Sequence, residues 1–210
     1  MMHPIGRKEL WHAQAAILLA IVLQLTVAEP LRIGPKYLVA ILELLLVFGI
    51  SYTGPRRHKE SANTHFTISV LLIGLVSMAN AGELALLIRA LINGAALPGK
   101  SLLSGALAIF ITNIIMFGLW YWELGSPGLS GRHKGDGETN FLFPQMQAHA
   151  AAWEPRFTDY LYVSLTNATA FSPTDTMPLT HAAKALMSAQ ALVSLLTVVL
   201  VTARAVNILG

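Results

Sequence analysis

Five long apolar runs dominate the chain, and short groups of Gly, Pro or charged residues separate them. They lie at about 10–28, 36–52, 66–92, 101–124 and 181–209. A helix that crosses a bilayer needs about 20 mostly apolar residues, so each run is long enough to span, or nearly so. Glu29-Pro30 stops the first run, Gly54-Pro55 the second, and Gly94 with Pro98 the third. Between the fourth and fifth runs the pattern changes. Residues 125–155 begin as a Gly-rich charged stretch, GSPGLSGRHKGDGETN, and continue as FLFPQMQAHAAAWEP. The first part reads as a flexible loop and the second as a short interfacial piece. Then comes RFTDYLYVSLTNATAFSPTDTMPLT, semi-polar, rich in hydroxyls and too short to span.

Hydroxyl-rich backbone is tolerated at membrane depth only where it is buried in protein or lines a watery cavity. The pattern therefore predicts a short helix at about 157–168 that enters the bundle, an extended loop at about 169–176, and then the last helix. The fold class expected is all-α: five transmembrane helices plus one re-entrant helix and loop. Residues 1–98 are expected to form a peripheral three-helix bundle. Residues 99–210 would form a second module: outer helix 101–124, loop 125–155, pore helix and filter-like loop 156–176, inner helix 180–209.

Composition agrees with a membrane protein. Of 210 residues, 54% are hydrophobic and only 12% charged, against about 25% charged in soluble domains. The net charge of +3 comes from short basic clusters beside the apolar runs, as in membrane proteins, and does not suggest nucleic acid. With no cysteine there is no disulfide framework, thiolate chemistry or Cys-ligated metal. The first run is too long for a signal h-region and VAEPL is a poor cleavage site, so no cleavable leader is expected. His3, His12, His58, His65, His133, His149 and His181 are scattered without ligand spacing, so no metal or haem site is expected. No Ser-His-Asp grouping or phosphate-binding Gly loop stands out, which argues against an enzyme, and no cofactor is implied.

The order of outer helix, re-entrant loop and inner helix is that of a cation-channel pore module. The residues carry the likeness further. A tetrameric potassium-channel pore reads Thr-Thr-Val-Gly-Tyr-Gly-Asp, two residues, Pro, one residue, Thr, then a basic residue. Here Thr169, Ala170, Phe171, Ser172, Pro173, Thr174 and Asp175 fall on the first seven, and Pro178, Thr180 and Lys184 follow in step. Tyr160 and Ser164-Leu165-Thr166 also resemble that superfamily's pore helix, so the likeness covers 157–209. The whole chain resembles a family of bacterial membrane proteins of unknown function, in which a Tyr- and Thr-bearing segment with Ser-x-x-Asp precedes the last helix and a Phe-Pro pair (here Phe143-Pro144) lies in the loop before it.

The resemblance implies a homo-oligomer, a tetramer by preference, in a bacterial inner membrane, passing monovalent ions through a shared pore. The filter departs from the potassium pattern. Its two glycines are missing, and Pro173 fixes φ and lacks an N–H, so a Gly-Tyr-Gly carbonyl ladder is not expected. Thr166, Asn167, Thr169, Ser172 and Thr174 would offer oxygens to a partly hydrated ion, and Asp175 a ring of charge. Equally, the Ser, Thr and Asp residues can simply cap helix ends. Gln190 and Ser194 share a face of the last helix and are candidates for the pore lining, or for polar contacts between helices.

Other polar residues lie within the runs. Glu43 and Glu83, with Asn80 and Asn113, sit where a carboxylate is costly and marks either an ion or proton path or a structural pair. Arg89 is too far along the helix to pair with Glu83 directly, so partners are expected from other helices, Arg89 or Lys184 among them. Glu123, near a helix end, is expected to reach water. Trp120, Tyr121 and Trp122 read as an interfacial belt. The basic group RRHK at 56–59 favours a cytoplasmic loop, which would put 125–180 on the cytoplasmic side and invert the pore module. Two alternatives to a channel remain open: an ion- or proton-coupled transporter using Glu43 and Glu83, and a non-conducting scaffold subunit.

Overall fold

A computed structural model describes residues 7–53, 62–94, 98–125, 139–148, 153–169 and 176–209. These residues are mostly helical, as the apolar runs require. The helices are α1 (Arg7–Thr26), α2 (Leu38–Thr53), α3 (Ala62–Ile92), α4 (Gly99–Leu124), α5 (Pro144–Gln147), α6 (Phe157–Thr169) and α7 (His181–Leu209). Three of them contain stretches long and apolar enough to cross a membrane: Phe66–Ile92, Gly99–Leu124 and His181–Thr202. The apolar parts of α1 and α2, Leu10–Thr26 and Leu38–Gly49, are shorter.

Helix α4 is the centre of the bundle and packs against α1, α3, α6 and α7. Burial follows that position. From Thr112 to Leu119 every residue of α4 is buried, and it is apolar on nearly all sides. A helix apolar all round belongs in a core. Helix α7, by contrast, turns Leu192, Leu195, Leu196 and Val199 outward, a face suited to lipid or to a further protein surface. Helices α1, α2 and α3 pack in sequence around the other side of α4.

The connection between α1 and α2 does not reach the end of the bundle. A short 3-10 turn, Glu29–Leu31, packs on α3. Leu31 lies against Gly105 and Ile33 against Gly82, and a Cβ at Gly82 would overlap the Ile33 side chain. Gly105 lies six residues inside α4 and Gly82 ten residues before the end of α3. At 1.5 Å per residue the connection sits about 9 to 15 Å below the α3–α4 turn. The small residues of GLVSMANAG thus admit neighbours at two levels: Gly82 admits the loop, and Trp120 lies beside Gly74 and donates to the Ser77 hydroxyl at 3.0 Å.

At the opposite end, a two-residue antiparallel ladder joins β1 (Phe141–Leu142) to β2 (Met177–Pro178). Asn140 locks it in place. Its Nδ2 donates to the Leu124 carbonyl, its Oδ1 accepts from the Thr180 hydroxyl at 2.7 Å, and its own carbonyl accepts from Leu179 N–H at 2.8 Å. Thr180 in turn accepts from Ala183 N–H, capping α7. Phe141 and Phe143 are buried and stack edge-on to Tyr160 at 5.9 and 5.2 Å. The stretch expected to be an interfacial piece is therefore a structural clasp.

Two expectations about α4 are corrected. Tyr121 and Trp122 are fully buried rather than interfacial, because β1 and α6 pack over the end of α4. Glu123 is buried as well and does not reach water.

Candidate functional site

Two groups of buried polar side chains stand out among the described residues. The first surrounds α6. Arg156 N–H donates to the Asp159 carboxylate at 2.7 Å, closing the first turn of this helix. From there α6 runs antiparallel to the end of α4. Phe157 meets Trp122, Tyr160 lies at Gly125, Leu161 packs on Gly118, and the Ser164 hydroxyl donates to the Ile114 carbonyl at 2.6 Å. A Cβ on Gly118 would stand 3.3 Å from the Leu161 Cα, so glycine is what permits the close approach. The helix is 13 residues long, about 20 Å, and ends at Thr169 inside the bundle. By Met177 the chain is back at the α4 end, paired with β1.

Gln190 on α7 holds the depth of α6. Its Nε2 donates to the Ser164 carbonyl at 2.9 Å and to the Ser164 hydroxyl at 2.7 Å. Its Oε1 accepts from the Tyr121 hydroxyl at 2.5 Å and from Asn167 Nδ2 at 2.9 Å. Asn167 also donates to the Met187 carbonyl at 2.9 Å. One turn further along α7, Ser194 accepts from Asn113 Nδ2 at 3.1 Å. None of these residues has a buried side-chain N or O left without a partner.

The residues singled out in the sequence divide accordingly. Gln190 and Ser194 turn inward onto α4 and α6, and neither is exposed on the surface of the chain. Asn167 belongs to the same network. Thr166 and Thr169 direct their hydroxyls back to carbonyls of α6 itself, Tyr162 and Leu165 among them. Ala170, Phe171, Ser172, Pro173, Thr174 and Asp175 lie outside the described residues. Sequence reasoning gave Tyr121 an interfacial role instead of this one and did not single out Asn140, since an aromatic at a helix end reads as a belt residue and an Asn in a loop carries no distinguishing signal.

The second place lies among α1, α2 and α3. Glu43 and Glu83 are both 0% exposed. Gln24 of α1 donates through Nε2 to Glu83 Oε1. Ile33 N–H also bonds the Glu83 carboxylate, and the Arg32 charge acts on it. Glu43 lies close enough to Glu83 for their charges to interact. Beyond these contacts acceptors outnumber donors, and the one buried donor left unpaired beside the acids is Arg32 Nε. Both Glu43 oxygens, Glu83 Oε2 and Gln24 Oε1 are buried without a hydrogen-bond partner. Arg89 and Lys184 are exposed, so the positive charge beside the acids is Arg32, brought by the sunken α1–α2 connection. Nearby on α3, Asn80 donates to the Ile109 carbonyl of α4 at 3.2 Å.

Among the described residues no three His, Cys, Asp or Glu side chains gather to hold a metal, and His12 and His181 are both exposed. No family model, curated protein or solved structure matches the chain.

Proposed function

We propose that this is an ion-conducting membrane protein in which identical subunits surround a shared pore. In this reading α1 and α2 cross the membrane with α3, α4 and α7, giving five spans. Helix α6 is the pore helix, and residues 169–175 line the path. One observation carries the reading: a 13-residue helix is driven into the bundle beside α4, and the chain returns to the end from which it entered. Backbone that does not span is compatible with membrane depth when protein or water surrounds it. The inward bonds of Gln190, Ser164 and Asn167 support a holding role for α7. The pore wall then falls to the return loop and to the outer face of α7. A single subunit contributes one loop, so the reading requires an oligomer.

The test is oligomeric state in detergent together with ion flux from liposomes. A tetramer with flux that falls at least tenfold in Asp175→Asn is the expected result. A monomer, or liposomes no leakier than protein-free controls, would overturn it.

A second reading, ion- or proton-coupled transport within each protomer, is favoured by Glu43 and Glu83. Carboxylates inside a membrane bundle mark ion and proton paths. Under this reading Glu43→Gln abolishes uphill transport, whereas Asp175→Asn does not.

A further inference from the structure

The buried group among α1, α2 and α3 holds four unpaired acceptor oxygens against one unpaired donor, Arg32 Nε. Glu43 and Glu83 contribute two negative charges if both are ionised, and Arg32 contributes one positive charge near Glu83. The remainder is one uncompensated negative charge in a region where both acids are fully buried. An isolated charge buried this way is very costly, and it is avoided by pairing or by neutralisation. The hydrogen bonding points the same way. Four buried oxygens lack a donor: both of Glu43, one of Glu83 and the amide oxygen of Gln24. Gln24 is itself 2% exposed and is held in the pocket by its bond to Glu83. Hard oxygen donors without thiolate or imidazole suit a proton or a hard cation rather than a transition metal. With one charge to balance and only two carboxylates, a divalent ion would leave the pocket positive.

We propose that Glu43, Glu83 and Gln24 form a site for one monovalent cation, a proton or an alkali ion, with Arg32 supplying the remaining compensating charge. The site deepens the second functional reading by naming its ligand, but its test does not depend on transport or on a pore. The sunken connection between α1 and α2 covers it.

Occupancy of a native-state site raises stability by mass action. A proton held by the folded pair and absent from the unfolded chain makes stability fall as pH rises, because the native state then binds more protons. The groups facing the pair are Arg32, Gln24 and the Ile33 N–H at Glu83, and Glu83 at Glu43. The experiment is thermal unfolding of the full chain in detergent, from about pH 6 to about pH 9, in choline chloride and then with sodium or potassium chloride at constant ionic strength. In choline, wild type is expected to lose about 5 °C or more relative to Glu43→Gln as pH rises. Recovery on adding sodium or potassium at high pH identifies an alkali ion as an occupant. No recovery leaves the proton as the occupant. Gln24→Leu keeps both acids and removes one oxygen ligand, and it is expected to shift the cation midpoint at least threefold. Should Glu43→Gln not fold, wild type against Gln24→Leu still decides. Wild type and the folded variants melting in parallel at every pH, with no response to sodium or potassium, would overturn the proposal.

Discussion

The two buried polar regions of this protein differ in how fully their hydrogen bonds are satisfied. Around α6, Gln190, Ser164, Tyr121, Asn167, Asn113 and Ser194 answer one another, donor to acceptor. Between α1, α2 and α3, Glu43, Glu83 and Gln24 present oxygens that nothing answers. The first arrangement specifies where a short helix sits. Interhelical hydrogen bonds in membranes contribute modestly one by one, but leaving a buried partner unpaired is expensive. The second arrangement costs stability as it stands, and a fold tolerates such a cost where it does something else. The difference between a polar group with its bonds satisfied and one without is therefore readable from its partners. Residue type alone does not reveal it.

The largest effect is expected on breaking the satisfied side. Gln190→Leu removes four hydrogen bonds and leaves the buried Tyr121 hydroxyl without its acceptor, while Ser164 and Asn167 keep Ile114 and Met187 as partners. A loss of about 3 kcal/mol is expected in a denaturation series, scaled from the penalty for unpaired buried groups. Next comes the close approach that makes those bonds possible. Gly118→Leu would push its Cβ onto the Leu161 backbone and lever α6 from α4, at a cost of about 2 kcal/mol for overpacking. Increased proteolysis of the α6 region would report the displacement. On the unsatisfied side the sign reverses. Glu43→Gln removes a buried acid that has no hydrogen-bond partner, and it should stabilise the chain by about 1 kcal/mol at alkaline pH in choline chloride. A destabilised Glu43→Gln would erase the contrast. The smallest effect belongs to Thr166→Ala. That hydroxyl bonds only within its own helix, and its loss should change stability by less than about 0.5 kcal/mol in the same series.

Much of the framework was legible along the chain. The expected helix at 181–209 coincides with α7, of which His181–Thr202 is apolar enough to span; the one at 101–124 matches α4 to within two residues, and the short helix at 157–168 matches α6 to within one. Long apolar runs and their stops are local signals, and the backbone of a membrane helix is satisfied locally. The candidate sites were legible only in part. Gln190 and Ser194 were singled out as a polar stripe, but a stripe does not say which neighbour it meets. The Arg32 charge beside Glu83 was not foreseen, because the expected partners, Arg89 and Lys184, were sought on helices and Arg32 arrives from a connecting loop. The ladder between Phe141–Leu142 and Met177–Pro178 was missed because it is two residues long and joins segments far apart in sequence.

The sequence by itself determined that the chain is a helical membrane-type protein, where its long helices lie to within about four residues, and that a short hydroxyl-rich helix precedes the last one. Each of these follows from hydropathy and from residues that stop a helix, and both act over a few turns. Tertiary structure alone decided which buried polar groups are satisfied. That property depends on which helices face each other, on Gly118 and Gly82 admitting a close neighbour, and on how deep the α1–α2 connection sinks, and none of these is set within a single helix.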